Sequence, residues 1–323
     1  MKRAVLIGAI ILLALVAVAC APAPTATPVP TPVPPTKAPP PPTAVPPTAV
    51  PPTAVPATKP PAPTTAPPTA VPAPALPDLK GRALKVGSDT TYPPFESVDK
   101  DKNIVGFDVD LVMEICKKIN CKATFVTADF DGLLIAVNSK TYDMSISGWT
   151  ITEERGKAVD FGLAYMTNSQ VLLVRVDETV VKEAEDLKKP DVIVAVQLGT
   201  TNSITAKKLV ADANKQVKEF QDFPAAVQAL INKQANAVVI DTFAASALLD
   251  ENKGKIKLSG KQFGDEYLGM VFRKGDKELV DAFNAGLKAV FKDGTWGKLC
   301  NKWWQGIEPK PDCAGKGLEI LGK

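Results

Sequence analysis

From Ala21 to about Pro77 the chain is almost only Pro, Ala, Thr and Val, and this stretch limits where a fold can form. Most of the 30 prolines lie here, "PPTAV" recurs at Pro41, Pro46, Pro51 and Pro67, and the only charges are Lys37 and Lys59. Such a composition cannot bury enough apolar surface to offset its ordering entropy. Pro-rich segments favour extended polyproline II geometry at about 3.1 Å per residue, so full extension reaches on the order of 150 Å. A tethering spacer is expected; a ligand for a proline-reading domain is the rival. Folding is thereby confined to the residues that follow, enough for one or two globular domains.

The segment before the spacer reads as an export signal. Lys2 and Arg3 precede an uncharged apolar run from Ala4 to Ala19, and small residues lead up to Cys20. A basic start, a short apolar core and a small-residue cleavage site describe a secretory signal. The run is shorter than the ~20 residues of a spanning helix. Cys20, directly after Ala-Val-Ala, resembles the lipidated cysteine of bacterial lipoproteins, although Ala17 stands where Leu is usual. Lipidation at Cys20 is therefore expected, with the protein exported and tethered to the outer face of the cytoplasmic membrane, at the cell surface or in the periplasm.

Charge and side-chain inventory exclude several functions. Removing Lys2, Arg3, Lys37 and Lys59 from the 38 basic residues leaves 34 against 35 acidic ones, a formal net charge of −1 from Asp78 onward. No nucleic-acid partner is expected, since that calls for a basic patch. The chain has no His, which removes His-dependent triads, His metal ligands and a His general base. Four Cys remain after Cys20. In an exported protein an even number favours disulfides. The expected pairs are Cys116–Cys121 and Cys300–Cys313. A four-Cys zinc site is the rival, but paired C-x2-C knuckles are absent. No metal and no cofactor are expected.

The remainder reads as two successive α/β units. Strand "ALKVGSD" (Ala83 to Asp89) precedes a helix from Gly106 to Asn120, whose Val109, Leu111, Val112, Ile115 and Ile119 keep helical spacing. Strand "KATFVTA", helix "FDGLLIAVNSK" and strand "YDMSISG" follow. A second series starts at "DVIVAVQ" (Asp191 to Gln197) and continues through "SITAKKLVADA", "QVKEFQ", "FPAAVQALINK" and "AVVID". Alternating strands and helices imply an α/β layer. The β-prone runs Ser169 to Val176 and Glu266 to Asp276 are expected to cross between two lobes, and the last helices to return to the first lobe. A double crossing makes a hinge, with a ligand cleft between the lobes.

Polar groups gather at the strand ends. "SISGWTITEER" (Ser145 to Arg155) follows the third strand at its carboxyl end, where ligands of α/β sheets collect. Thr150 and Glu153 have capping-box spacing, and a helix start favours an anion. Arg155 can clamp a carboxylate, and Gly148 beside Ser147 allows close backbone approach. The bland reading is a capped helix with Arg155 paired to Asp160. "QLGTTNS" offers Thr200 and Thr201 at another helix start. Asp241, ending "VVID", suits an ammonium group or a helix N-cap. Asp89, Tyr92, Phe95 and Phe130 supply a carboxylate and aromatic walls. A carboxylate clamp, an ammonium acceptor and an aromatic slot together describe a free α-amino acid.

In order and spacing, "GFDVDL", "DFDGLL", "SGWTITEER", "VDFGLAY", "GTTNS" and "VVIDTF" make the segment from about Leu84 to Trp304 resemble family 3 of the bacterial extracellular solute-binding proteins. The resemblance implies an α/β fold of the two-lobed, type II periplasmic-binding-protein kind, with two mixed-sheet lobes and a two-strand hinge. It implies that Arg155 grips the ligand α-carboxylate with Thr150 and the Gly148 backbone. Thr200 and Thr201 would close from the other lobe. Asp241 would take the α-ammonium, Tyr92 and Phe130 would flank the side chain, and Asp89 would meet its polar end. Trp149 and Asn236 depart from the usual pattern, and Trp149 is expected to pack behind the pocket.

The organisation expected is a signal at residues 1–19, a lipidated Cys and linker at 20–79, lobe 1 at 80–171 with 267–310, lobe 2 at 172–266 and a tail at 311–323. The function implied is the substrate-binding part of an ABC importer, a monomer that delivers a polar amino acid to a membrane permease. Asp89, Glu96 and the aromatic faces favour a basic amino acid or glutamine. The rivals are a sensor component that presents ligand to a partner, and a periplasmic dehydratase acting on prephenate-like acids. The chain is not expected to be an enzyme.

Overall fold

The computed structural model describes residues 75–313. The expected signal, Cys20, nearly all of the linker and the tail beyond Cys313 lie outside the described residues. In chain order the first half holds β1 (Arg82–Ser88), the short strands β2 (Thr91–Tyr92), β3 (Glu96–Val98) and β4 (Ile104–Val105), then α1 (Phe107–Ile119) and β5 (Cys121–Thr127). A 3-10 turn at Phe130–Gly132 enters α2 (Leu133–Asn138), followed by β6 (Met144–Ser145) and α3 (Glu153–Ala158). The long strand β7 (Val159–Arg175) leads to β8 (Val194–Gln197), α4 (Thr201–Leu209), α5 (Ala213–Gln216) and β9 (Val217–Phe220). Next come α6 (Phe223–Ile231), β10 (Ala237–Asp241) and α7 (Thr242–Glu251); the long β11 (Ile256–Arg273) returns to α8 (Lys277–Lys292) and α9 (Thr295–Trp303).

Eight strands form one mixed sheet in the order β5-β1-β6-β11-β7-β10-β8-β9. A parallel triple stands at each end, and the antiparallel pair β7/β11 joins them. The far end of β11 pairs with β6 through Val271 and Phe272, whereas the far end of β7 pairs with β10 from Gln170 to Val174. Each long strand therefore belongs to both halves. These two strands are longer than the β-prone runs in the sequence, which began at Ser169 and Glu266. Residues such as Gly162, Asn168, Gly260 and Gly264 hide the extensions; β11 absorbs Gly260 and Gly264 near bulges between Ser259 and Glu266. In contrast, the strand expected through "YDMSISG" shortens to Met144–Ser145, and the following residues turn toward the site.

α1, α8 and α9 cover the first half. Phe107, Leu111, Ile115, Leu287, Trp296 and Trp304 are buried together, and the Trp304 ring meets Phe95 and Phe107 edge-on. Cys116–Cys121 links the end of α1 to β5, and Cys300–Cys313 ties α9 to the residues after it. Gly106 precedes α1 at φ 151°, where an added Cβ would lie 1.9 Å from the Phe95 carbonyl oxygen. That obstacle is backbone and cannot swing aside. Gly106→Ala is therefore expected to destabilise the fold by about 3 kcal/mol or more, read as a lowered urea midpoint.

Candidate functional site

Polar groups from both halves converge on one narrow cavity. On the first half, Asp89 follows β1. Its Oδ1 accepts from the Thr91 N–H and hydroxyl at 3.1 and 2.7 Å, while Oδ2 accepts from Gln197 Nε2 at 2.6 Å. Burial raises the Asp89 pKa above its ordinary value. Ser147, leaving β6, accepts from the Asp89 N–H at 2.9 Å and donates to Glu96 Oε1 at 2.6 Å. Gly148 lies at φ 55°, with the space for a Cβ only 2.6 Å from the Tyr92 ring. Its N–H donates to Asp108 Oδ2 at 3.1 Å. The backbone amide expected to share a ligand carboxylate is thus turned into the core.

The helix start also differs from expectation. Thr152, not Thr150, caps α3 and accepts from the Arg155 N–H. Thr150 instead bridges to Leu268 of β11, and this leaves its carbonyl to accept from Arg155 Nη1 at 2.8 Å. Arg155 Nη2 donates to the Gly199 carbonyl at 3.1 Å, and the guanidinium lies 4.7 Å from the Trp149 ring centre and 5.6 Å from that of Phe130. The Arg155–Asp160 pair does not form; Asp160 pairs with Lys274 at 2.9 Å. Burial lowers the Arg155 pKa to about 10, against the raising effect of Glu266 and Asp241. Trp149 is buried, stacks on Phe130 at 4.0 Å and donates to Ser145 Oγ at 2.9 Å, so it packs behind the cavity.

The second half supplies Asp241 at the end of β10. It occupies the N-cap position of α7, but its side chain makes no cap bond. Oδ2 accepts from the Tyr92 hydroxyl and Oδ1 from Asn202 Nδ2 at 2.8 Å. Burial, then the charge of Glu266, raises its pKa to about 7. Thr201 Oγ1 stands 3.3 Å from Thr150 Oγ1. Thr200 lines the cavity but spends its hydroxyl on capping α4: it accepts from the Ser203 N–H at 3.1 Å and donates to the Gln197 carbonyl at 2.7 Å.

Of the residues singled out in the sequence, Asp89, Tyr92, Phe130, Ser147, Gly148, Thr150, Arg155, Thr200, Thr201 and Asp241 line this cavity. Phe95 does not. It is fully buried behind Tyr92, stacked at 5.2 Å, because its ring belongs to the Phe107–Trp304 cluster. Glu96 is likewise buried beneath the wall. Gln197, Asn202 and Phe223 were missed. The first two sit inside "QLGTTNS", where a polar residue closing an apolar strand was the available signal. Phe223 looked like an ordinary apolar residue of its helix. Gln170 on β7 was also overlooked. It donates to Glu266 on β11 at 2.8 Å and reaches Thr201 at 3.4 Å, joining the crossing strands to the cavity.

The halves meet over the cavity through Tyr92–Asp241, Asp89–Gln197 and Arg155–Gly199, with Gln221 Nε2 donating to Asp131 Oδ1 at 3.1 Å nearer the rim. Among the described residues no group of three or more Cys, Asp or Glu is arranged to hold a metal. What the cavity offers is a guanidinium and a carboxylate on opposing halves, with aromatic walls between.

A sheet built of two parallel triples on a shared strand pair, closed over a cavity lined by charged and aromatic groups, defines a two-lobed binding protein. Residues 84–306 match the family "Bacterial extracellular solute-binding proteins, family 3", and the chain belongs to that family. The ABC transporter arginine-binding protein 1 of Escherichia coli K12 is 32% identical over 68% of this chain and 90% of its own length. An ancestral arginine-binding protein, solved with arginine, is 39% identical with a TM-score of 0.66 over 70% of this chain and 99% of its own. An ancestral arginine-binding protein solved with glutamine is 40% identical with a TM-score of 0.65 over 69% of this chain and 97% of its own. An ancestral amino acid-binding protein, a precursor of cyclohexadienyl dehydratase, is 39% identical with a TM-score of 0.64 over 69% and 96%. The fold is the type II periplasmic-binding-protein fold expected from the sequence. Among the described residues no helix is long and apolar enough to cross a membrane.

Proposed function

We propose that this protein is the extracytoplasmic binding component of an ABC importer and takes up a free L-amino acid with a cationic side chain. The observation that carries the reading is the opposition of Arg155 and Asp241 across one cavity. Arg155 takes the α-carboxylate, with Thr150 and Thr201 beside it. Asp241 takes the α-ammonium, which displaces the Tyr92 hydroxyl or shares the carboxylate with it. The side chain runs between Tyr92, Phe130 and Phe223 toward Asp89 and Gln197. The charge balance favours a cation there: Arg155 faces Asp241, Asp89 and the nearby Glu266, and a zwitterion alone leaves carboxylates unmatched. Glutamine is the second reading, supported by an ancestral arginine-binding protein solved with glutamine.

In this reading lobe 1 (80–171 with 267–310) binds first, and lobe 2 (172–266) closes over it by bending at β7 and β11. The closed monomer is what the permease recognises. Cys20 carries the lipid and residues 20–79 form the tether. The protein binds without transforming its ligand, which agrees with relatives named as transport proteins.

The test is calorimetric titration of the full chain, freed of carried-over ligand, with L-arginine, L-lysine, L-histidine, L-glutamine and L-cystine, and with prephenate as control. Tight binding of arginine or lysine is expected. A folded protein that binds none of these amino acids would overturn the reading, and turnover of prephenate would replace it with the dehydratase. The same titration assigns Asp89. Asp89→Asn is expected to weaken arginine about tenfold, the loss of about 1.4 kcal/mol, while glutamine stays within about threefold.

A further inference from the structure

Two carboxyl groups lie directly under the ligand cradle, and the reading above gives them no role. Glu96 on β3 and Asp108 on α1 are both fully buried, at 0% exposure, and close enough for each to shift the other's titration. Asp108 Oδ2 accepts from the Gly148 N–H at 3.1 Å and from the Tyr165 hydroxyl at 2.9 Å. Glu96 Oε1 accepts from Ser147 Oγ at 2.6 Å, and that same oxygen of Ser147 holds the Asp89 N–H. The remaining oxygens, Glu96 Oε2 and Asp108 Oδ1, are buried and have no hydrogen-bond partner among the described residues, so a proton between them would satisfy both. The other titratable groups facing the pair are Asp89 after β1, Tyr92 on β2 and Tyr165 on β7; none can supply a positive charge. No Lys or Arg among the described residues forms a salt bridge with either carboxyl.

Two neighbouring, fully buried carboxyl groups with no salt-bridge partner among the described residues do not both ionise. We infer that Glu96 and Asp108 share one proton, carried on Glu96 and donated to Asp108, and that this hydrogen bond holds the Ser147–Gly148 turn and Asp89 in ligand-binding position. The assignment follows from the donors. Asp108 already accepts two hydrogen bonds, which favour its anion, whereas Glu96 accepts one. Burial pushes both groups upward; the Asp108 charge pushes Glu96 further, whereas Glu96 acts to lower Asp108. Both are positioning residues, since they act on the ligand through Ser147, Gly148 and Asp89. The inference rests on the proposed amino acid binding only for its effect on affinity.

The sign follows from proton counts. At neutral pH the native protein keeps a proton that an unfolded chain, with ordinary carboxylates, has released. Stability therefore falls as pH rises from the ordinary carboxylate range toward the native pKa of Glu96. Losing the proton places two charges behind the turn and loosens it.

The experiment compares the full chain with Glu96→Gln and Glu96→Ala. Gln has the shape of the protonated acid and can donate to Asp108 at every pH. Arginine binding at pH 7 should fall by no more than about threefold in Glu96→Gln and by about tenfold or more in Glu96→Ala. From pH 7 to 9.5 the wild type should weaken relative to Glu96→Gln by about tenfold, one pKa unit of differential interaction. The ratio removes the titration of the free amino acid and of Arg155, which both proteins share. An infrared band of a protonated carboxyl should persist in ligand-free wild type at pH 7.5 and vanish in Glu96→Gln. Its melting temperature should fall with pH more steeply in the wild type. Absence of that band, or a flat affinity ratio where the band is present, would overturn the inference. Failure of arginine to bind at all would overturn the function proposed above and leave the band and the melting curves to decide this one.

Discussion

Arg155→Ala is expected to weaken arginine binding by at least about a hundredfold while the protein stays folded. The guanidinium is the cation nearest the cavity, and its first claims are on backbone oxygens, at Thr150 and Gly199. It is therefore held in place without a carboxylate of its own and keeps donors for a ligand. Truncating one partner of a buried, hydrogen-bonded charge pair costs about 2–5 kcal/mol, and half-burial of Arg155 argues for the lower part of that range. A ~3 kcal/mol loss corresponds to more than a hundredfold. Part of the loss comes from closure, because the Arg155–Gly199 bond joins the two halves. Arg155→Lys separates the two contributions. It keeps the charge, but an ammonium cannot bridge two carbonyls and a carboxylate in one plane. An affinity drop of about tenfold or more is expected there, with an unchanged melting temperature. Calorimetry supplies the affinities. Near-wild-type binding by Arg155→Ala would remove the guanidinium from the site and reassign the carboxylate contact.

The strand ends were the legible part of this site. Asp89, Gly148, Arg155, Thr201 and Asp241 could be read because each closes a recognisable strand or opens a turn, and α/β sheets present ligands there. Sequence order does not say which of two adjacent hydroxyls caps a helix. Thr150 and Thr152 are equally good cap residues, and the choice was made by the distant strand β11, whose Leu268 bridges Thr150. Similarly, Thr200 and Thr201 both line the cavity, but the Thr200 hydroxyl caps α4, whereas that of Thr201 faces Thr150 across the cavity. Phe95 and Tyr92 are close neighbours in one turn, yet Trp304, just after α9, draws Phe95 into the core. Such outcomes are decided by long-range packing, which short sequence windows do not contain.

The crossing strands show the same limit at larger scale. Their central residues have ordinary β character, but their extensions carry Gly and Asn, and only pairing between residues about a hundred positions apart makes them continuous. That continuity matters for function. Gln170 and Glu266 lie on the two strands that the proposed closure bends, and Gln170 also touches Thr201. Bending the strands and seating the ligand thus act on one hydrogen-bonded set.

Glu266 also determines how Asp241 should titrate, and with it the strongest pH dependence of the site. Asp241 is buried, and the Glu266 charge adds to the effect of burial, raising its pKa to about 7; Tyr92 and Asn202 oppose this by hydrogen-bonding the anion. The ligand ammonium requires that anion. Below about pH 7 the proton must first leave, so arginine affinity should fall by up to about tenfold per pH unit as acid is added. The stability sign is consistent. Without ligand, ionising Asp241 costs the native state free energy as pH rises toward 7, whereas bound ammonium removes that cost. Saturating arginine should therefore raise the melting temperature more at pH 8 than at pH 6. Asp241→Asn should lose about a hundredfold in affinity at pH 8, because the ammonium then faces an amide, and its remaining binding should no longer weaken between pH 7 and pH 5.5. Titrations of both proteins across that range read the effect directly. An acid limb that persists unchanged in Asp241→Asn would move the titrating group elsewhere, with Asp89, also raised by burial, as the next carboxylate to replace.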